Sequence, residues 1–142
     1  MSNIYELPFS GFKVGHAEDI SVVTGTTACV FDEPAVAAVH IMGASPGTRE
    51  TELLNPEYAV AKVDAIVLSG GSAFGLDAAG GCQAKLKEEG RGIFIDPVSI
   101  PIVPSAILFD MRNEGNKDWG RFSPYRAVSY THLRAHETLG NL

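Results

Sequence analysis

Val67-Leu68-Ser69-Gly70-Gly71-Ser72-Ala73-Phe74-Gly75-Leu76-Asp77-Ala78-Ala79-Gly80-Gly81 joins an apolar, β-branched run to a helix-like pattern through a Ser-Gly-Gly turn. Residues 65–68 read as a buried strand and residues 72–89 as a helix, so the unit is strand–turn–helix. Glycine at such a junction lets the backbone enter regions that other residues resist. The first amides of the helix have no intrahelical partners. Together with the positive end of the helix dipole they suit a carboxylate, a phosphate or a developing oxyanion. Gly70, Gly71 and Ser72 are therefore candidate binding residues, although a lone glycine-rich turn is equally consistent with ordinary loop geometry.

Three familiar motifs fit this turn incompletely. A dinucleotide fingerprint needs glycine where Ser72 stands, and a Walker-type phosphate loop needs a Lys-Ser/Thr pair where Leu76-Asp77 follows Gly75. A nucleophile elbow, G-x-S-x-G, needs its second glycine where Phe74 stands. Within the helix, Phe74, Ala78, Cys82 and Leu86 fall at i, i+4 spacing on one apolar face, with Lys85, Lys87, Glu88 and Glu89 at the exposed end. Gly90 is a natural stop. Gly80 and Gly81 each cost roughly 1 kcal/mol against alanine, which makes sense where another backbone packs close.

The rest of the chain reads mostly as strands. Residues 13–16 are extended. Residues 21–31 are β-rich around Gly25, and an Asp32-Glu33-Pro34 turn leads into a second apolar run at 35–42, which predicts a hairpin. A short helix is expected over 58–63, and further strands over 92–95 and 102–109, around a loop with prolines at 97, 101 and 104. His16 and His40 read as hydrogen-bonded structural histidines, and Asp96 and Asp110 as turn residues. Asp77 complements the helix dipole.

With 142 residues, 45% of them hydrophobic and 20% charged, the chain has the profile of about one globular domain. A net charge of −6 argues against nucleic acid or an anionic membrane as partner. No apolar run reaches the roughly 20 residues that a membrane span requires. The first residues lack the basic and apolar regions of a signal peptide, so a cytoplasmic location is expected. Cys29 and Cys82 lie far apart and are expected to be reduced, buried and inert.

Residues 128–138, Val-Ser-Tyr-Thr-His-Leu-Arg-Ala-His-Glu-Thr, resemble the translation of a transposon-based sequencing adapter, residue for residue. On this reading residues 128–142 are a non-native tail, and His132 and His136 carry no metal site despite their i, i+4 spacing. The natural sequence is then represented by residues 1–127, the N-terminal part of one domain.

Within residues 1–127 five blocks stand in order: V-G-H-A-E-D (14–19), T-G-T-T (24–27), G-A-S-P-G-T-R-E-T-E-L-L (43–54), V-L-S-G-G-S-A-F-G-L-D-A-A (67–79) and P-I-V-P-S-A-I-L-F-D (101–110). Together they resemble the N-terminal part of the L-aminopeptidase/D-esterase and β-aminopeptidase family, whose relatives include the nylon-oligomer hydrolases.

That resemblance implies an α+β fold, part of an αββα sandwich with mixed sheets flanked by helices. It also implies a precursor that cuts itself before a Ser or Thr, which then serves as N-terminal nucleophile. A free α-amine with pKa near 8 can act as base for its own hydroxyl. The nucleophile, and the Asn and Lys that assist it, would lie beyond this chain, which alone is expected to be inactive. No metal or organic cofactor is expected. The substrate would be a small peptide or an amino-acid amide or ester, and the parent a homo-oligomer of self-cleaved protomers.

The resemblance implies, for relatives with Tyr at the position of Phe74, a hydroxyl near the reacting carbonyl, where Phe74 supplies only shape and apolar surface. Glu50 and Glu52 follow the glycine-rich loop, and one of them is a candidate for the substrate's free amine. Two alternatives remain. One is an α/β-type serine hydrolase with Ser72 as nucleophile and His16 or His40 as base. The other is a non-catalytic module whose Gly-Gly-Ser turn holds a small molecule.

Overall fold

The computed structural model describes residues 10–130 in full and the backbone of residues 2–5. Six strands form one mixed sheet: β1 (Ser2–Tyr5), β2 (Phe12–Asp19), β3 (Thr24–Ala35), β4 (Thr48–Arg49), β5 (Val63–Ser69) and, after an intervening hairpin, β8 (Ser105–Ile107). Their spatial order is β1-β2-β3-β5-β8-β4. The hairpin, β6 (Ile93–Ile95) and β7 (Val98–Ile100), is a separate two-stranded sheet. The helix α1 spans Ala78–Glu88, and residues 125–130 are also helical. The result is the mixed α+β class expected from the sequence.

β2 and β3 form a hairpin from Phe12↔Phe31 to Asp19↔Thr24. Asp19 fixes its turn by accepting from Ser21 N at 2.9 Å, Ser21 Oγ at 2.6 Å and Val22 N at 3.1 Å. These donors, the Ser21 hydroxyl foremost, hold the Asp19 carboxyl below its ordinary pKa. The hairpin predicted between residues 21–31 and 35–42 does not form. β3 pairs instead with β2 and β5, and residues 36–42 have no regular structure, with Val36 78% and Met42 80% exposed. The run has no period-2 alternation to bury, and Pro34 lies where the β3–β5 register breaks, between Val30 and Ala35. The helix expected at 58–63 is also absent. A 3₁₀ turn at Glu52–Leu54 comes earlier, and β-branched Val63 opens β5.

β5 pairs antiparallel with β3 and parallel with β8, so Ser69 sits opposite both Thr26 and Ile107. Parallel pairing brings the C-terminal ends of β5 and β8 to the same edge. What was read as one helix over 72–89 is two elements: a 3₁₀ segment, Ser72–Asp77, and then α1. The tighter 3₁₀ rise shifts the phase of the pattern. Phe74 therefore leaves the apolar face and is 55% exposed, while Lys85 is 3% exposed between Glu88 at 3.9 Å and Glu89 at 3.4 Å.

α1 packs on β5 through small side chains. Ala28, Ala65 and Val67 of the sheet meet Ala78, Ala79 and Cys82 of the helix, capped by Leu86, Val103 and Tyr125. Gly81 allows a second close approach, as expected: a Cβ there would lie 2.3 Å from the Arg126 carbonyl oxygen. Helical residues 125–130 thus cover α1, with Ser129 buried and Tyr130 Oη donating to Glu88 at 2.9 Å. Val128, Ser129 and Tyr130 are the described part of the tail read as adapter-derived, and His132 and His136 lie outside the described residues.

The other sheet face carries Val14, His16, Thr27, Cys29, Ile66 and Leu68, paired across strands. Among the described residues no helix or second sheet covers it, and Leu68 is 54% exposed.

Candidate functional site

The turn after β5 is strained in sequence order. Gly71 has φ +94° and Ser72 φ +51°, the left-handed region that costs an L-residue such as serine about 1–3 kcal/mol. The fold pins this shape from both sides. Gly70 N donates to Gly25 O at 2.9 Å and Ser72 N to Leu108 O at 3.0 Å. Gly71 N donates to Asp110 Oδ1 at 2.7 Å, and Thr24 Oγ1 donates to Asp110 Oδ2 at 2.6 Å. Gly70 must lack a side chain, because a Cβ would lie 2.2 Å from Asp110 Oδ2 and 2.3 Å from Thr24 Oγ1. Gly71 faces the Tyr125 ring, whose Cζ would be 2.2 Å from its Cβ.

The amides of Gly70, Gly71 and Ser72 were expected to face a substrate. Each donates instead to an oxygen within the protein: Gly25 O, Asp110 Oδ1 and Leu108 O respectively. The Ser72 hydroxyl is half-exposed and, among the described residues, has no hydrogen-bond partner. Beside the turn lies a cleft of about 460 Å³, lined by His16, Thr27, Leu68, Gly70, Leu108 and Asp110 among others. Its walls are mostly apolar, with the Asp110 carboxylate and the His16 ring as polar features.

His16 Nδ1 is 2.8 Å from Thr27 Oγ1, the hydrogen-bonded structural role expected of it. His40 is exposed in the irregular segment after β3. Neither imidazole bonds Ser72, so the described residues do not assemble a Ser–His pair. Glu50 and Glu52 are exposed, and neither lines the cleft or bonds the turn. Glu50 has φ +54° and follows Arg49, whose Nη2 donates to Gln83 Oε1 at 3.2 Å and Nη1 to Leu76 O at 3.3 Å. Glu52 lines a different cleft, with Val39, Ile41 and Tyr58. Phe74 stacks edge-on against Trp119 at 5.6 Å, and Trp119 against Tyr125 at 5.7 Å.

Sequence reasoning missed the second layer of the site: Thr24, Asp110, Trp119 and Tyr125. Asp110 was read as a turn residue, whereas its carboxylate ties three segments together. The signal was the pair of blocks at 67–79 and 101–110. Parallel pairing of their strands places residues 70–72 beside 108–110. Tyr125 Oη is buried without a hydrogen-bond partner among the described residues. Burial pushes its hydroxyl above the ordinary tyrosine pKa, with the Thr24 hydroxyl opposing and the Asp110 charge adding to the rise.

The turn lies at the carboxyl ends of two parallel strands, beside a cleft, a place where open α/β sheets bind ligands, and comparison with known proteins identifies the family. The profile of Peptidase family S58 matches residues 9–140, and the chain belongs to that family. The match extends past residue 127 into the segment read as adapter-derived. An uncharacterized aminopeptidase of Mycobacterium tuberculosis is 43% identical over 109 residues, which cover 71% of this chain and 32% of the relative. One from Mycobacterium leprae is 43% identical over 110 residues, covering 72% and 30%. The chain thus spans about a third of the length of the curated relatives it matches. No helix among the described residues is long and apolar enough to cross a membrane.

Proposed function

We propose that the complete protein is a hydrolase that removes N-terminal amino acids or cleaves amino-acid amides and esters. Its nucleophile is a Ser or Thr hydroxyl that self-cleavage exposes as a new N-terminus, in sequence beyond this chain. The chain provides one wall of the site and by itself is inactive. The observation that carries this reading is the strained Gly71–Ser72 turn beside a cleft of about 460 Å³ in a member of Peptidase family S58. The names of the mycobacterial relatives support the substrate class.

In this mechanism the α-amine takes the hydroxyl proton as the oxygen attacks the substrate carbonyl. The tetrahedral intermediate collapses, the proton passes to the departing amine or alcohol, and water then releases the acyl group. The half-exposed Ser72 hydroxyl and the Phe74 ring reach the substrate from the turn, Phe74 lining another cleft with Trp119 and Arg126 rather than the one beside Gly70. The open sheet face, with Leu68 at its centre, is the surface on which the second sheet of an αββα sandwich packs. The reading carries with it a cytoplasmic homo-oligomer of cut protomers, and a natural sequence that departs from this one after Ala127.

Intact-mass analysis of the complete protein tests it. Two polypeptides are expected, the smaller beginning with Ser or Thr, and a single uncut, active chain would refute it. A second reading draws on the φ of Ser72: a strand–turn–helix serine at positive φ is how an elbow presents its nucleophile. Ser72→Ala separates the two. Loss of a nucleophile costs about 10⁶ in rate, whereas loss of one transition-state donor costs about 10²–10³. The larger loss with the fold unchanged would make Ser72 the nucleophile.

A further inference from the structure

We propose that Asp110 is a positioning residue of this site: its carboxylate holds the Gly70–Ser72 turn in its left-handed backbone and so sets where Ser72 and Phe74 stand against the substrate. The inference rests on the hydrolase reading above and deepens it.

Three observations converge on this carboxylate. Its two oxygens are divided between two segments, Oδ1 accepting from Gly71 N at 2.7 Å and Oδ2 from Thr24 Oγ1 at 2.6 Å. Hydrogen bonds to an ionised acceptor are short and roughly twice as strong as neutral ones. Second, the bond falls on the residue that needs it. Gly71, at φ +94°, immediately precedes Ser72, whose own φ of +51° disfavours its conformation. A backbone that would relax toward negative φ stays put only where its neighbours over-determine it. Third, the packing leaves no slack. A Cβ on Gly70 would overlap both Asp110 and Thr24, and one on Gly71 would overlap Tyr125.

The turn is therefore clamped between Asp110 on the cleft side and the Tyr125 ring behind. Asp110 also lines the cleft, yet both its oxygens are directed to the protein. Its effect on a substrate accordingly passes through the turn. The Ser72 amide bond to Leu108 O, two residues before Asp110, extends the same clamp. Losing the carboxylate frees Gly71 N and lets the Ser72 side chain swing with the peptide plane.

The test uses the complete protein with Asp110→Ala, Asp110→Asn and Thr24→Val. Asparagine keeps an oxygen for Gly71 N and presents an amide N–H to the Thr24 hydroxyl, so it should rescue. Misplacing a reacting group by about 1 Å costs about 10²-fold. Asp110→Ala should lower kcat on amino-acid p-nitroanilides by that order with KM changed little, and Asp110→Asn should recover to within about tenfold of wild type, a neutral acceptor being the weaker one. Thr24→Val should fall between them and add nothing on top of Asp110→Ala.

Hydrogen exchange of the peptide spanning residues 67–76 is read on the same variants. It should speed up in Asp110→Ala and return in Asp110→Asn. Unchanged exchange in Asp110→Ala, or faster exchange with unchanged kcat, overturns the proposal. Wild-type protein without hydrolase activity would overturn the hydrolase reading instead, and with it any effect on turnover, while the exchange comparison would still decide whether Asp110 holds the turn.

Discussion

Replacing Gly71 by alanine separates two reasons why a glycine stands there. The backbone at φ +94° costs an L-residue about 1–2 kcal/mol. The added Cβ would also lie 2.2 Å from Cζ, 2.5 Å from Cε1 and 2.6 Å from Cε2 of Tyr125. That ring cannot retreat, since it is fully buried and held edge-on by Trp119 at 5.7 Å. Overpacking of a filled interior costs typically about 1–3 kcal/mol. Gly90 supplies the control: its φ is +71° and nothing lies within 4 Å of a Cβ there. Gly90→Ala therefore carries strain without collision, partly offset by about 0.4–1 kcal/mol from a less flexible unfolded chain. In urea unfolding of the complete protein at constant slope, Gly71→Ala should be less stable than Gly90→Ala by about 1–3 kcal/mol, the collision alone. Pairing Gly71→Ala with Tyr125→Leu should shrink that difference, because the two sites touch. Gly71→Ala matching Gly90→Ala within about 0.5 kcal/mol, the usual scatter of independent sites, would refute the view that Tyr125 clamps the turn.

The other predictions concern the thiols and the loop carboxylates. Burial, with the Glu89 charge adding to it, pushes the Cys82 thiol up to about 12, so at pH 8 its thiolate fraction is about 10⁻⁴. Thiol labelling of the native protein at pH 8 should leave Cys82 unmodified on the timescale on which denatured protein reacts fully; rapid labelling would refute its burial. Because the folded pKa lies above the ordinary 9.0, the thiol's contribution is intact below pH 9 and is lost as pH rises toward 12. Tyr125 shifts in the same direction from its own ordinary value, so stability should fall on the alkaline side, and Cys82→Ala should flatten that fall. If Glu50 or Glu52 receives the substrate's free amine, Glu50→Gln or Glu52→Gln should raise KM at nearly constant kcat, as loss of uniform binding does. Unchanged KM in both variants would remove the two glutamates from the site.

The parts of the fold legible in the sequence are those where one local signal dominates. β5 announces itself through the apolar run ending at Ser69, and the helix that follows through its i, i+4 pattern and its stop at Gly90. Gly81 correctly foretold a close backbone approach, although not which segment makes it, whereas Gly80 meets only the side-chain ends of Arg126, Arg49 and Asp77. Where two signals compete, the reading failed. Residues 35–42 are apolar without alternating, and composition suggested a strand that the register break at Pro34 prevents. Phe74 fits an α-helical period, but the chain takes a 3₁₀ path there and turns the ring outward. Of the short hairpin, β6 matches the strand expected over 92–95, whereas β7 lay inside the stretch read as proline-bearing loop.

The site was legible in one layer only, for a topological reason. Gly70, Gly71 and Ser72 are contiguous, so their turn shows in the sequence itself. Asp110 reaches that turn from 39 residues along the chain through its bond with Gly71 N, and Thr24 joins it through a bond to Asp110 that spans 86 residues. Nothing local at Asp110 distinguishes a carboxylate that closes a strand from one that clamps a distant backbone. The distinction appears once β5 and β8 are known to run parallel and side by side, since their ends then share one edge of the sheet. Glu50 and Glu52 show the converse. They look chemical in the sequence because charge follows a glycine-rich loop, yet β4 pairs with β8 at the sheet's margin and leaves both carboxylates exposed. Proximity to the turn, rather than residue type, is what separates Asp110 from them, and in this chain that proximity is set by strand order.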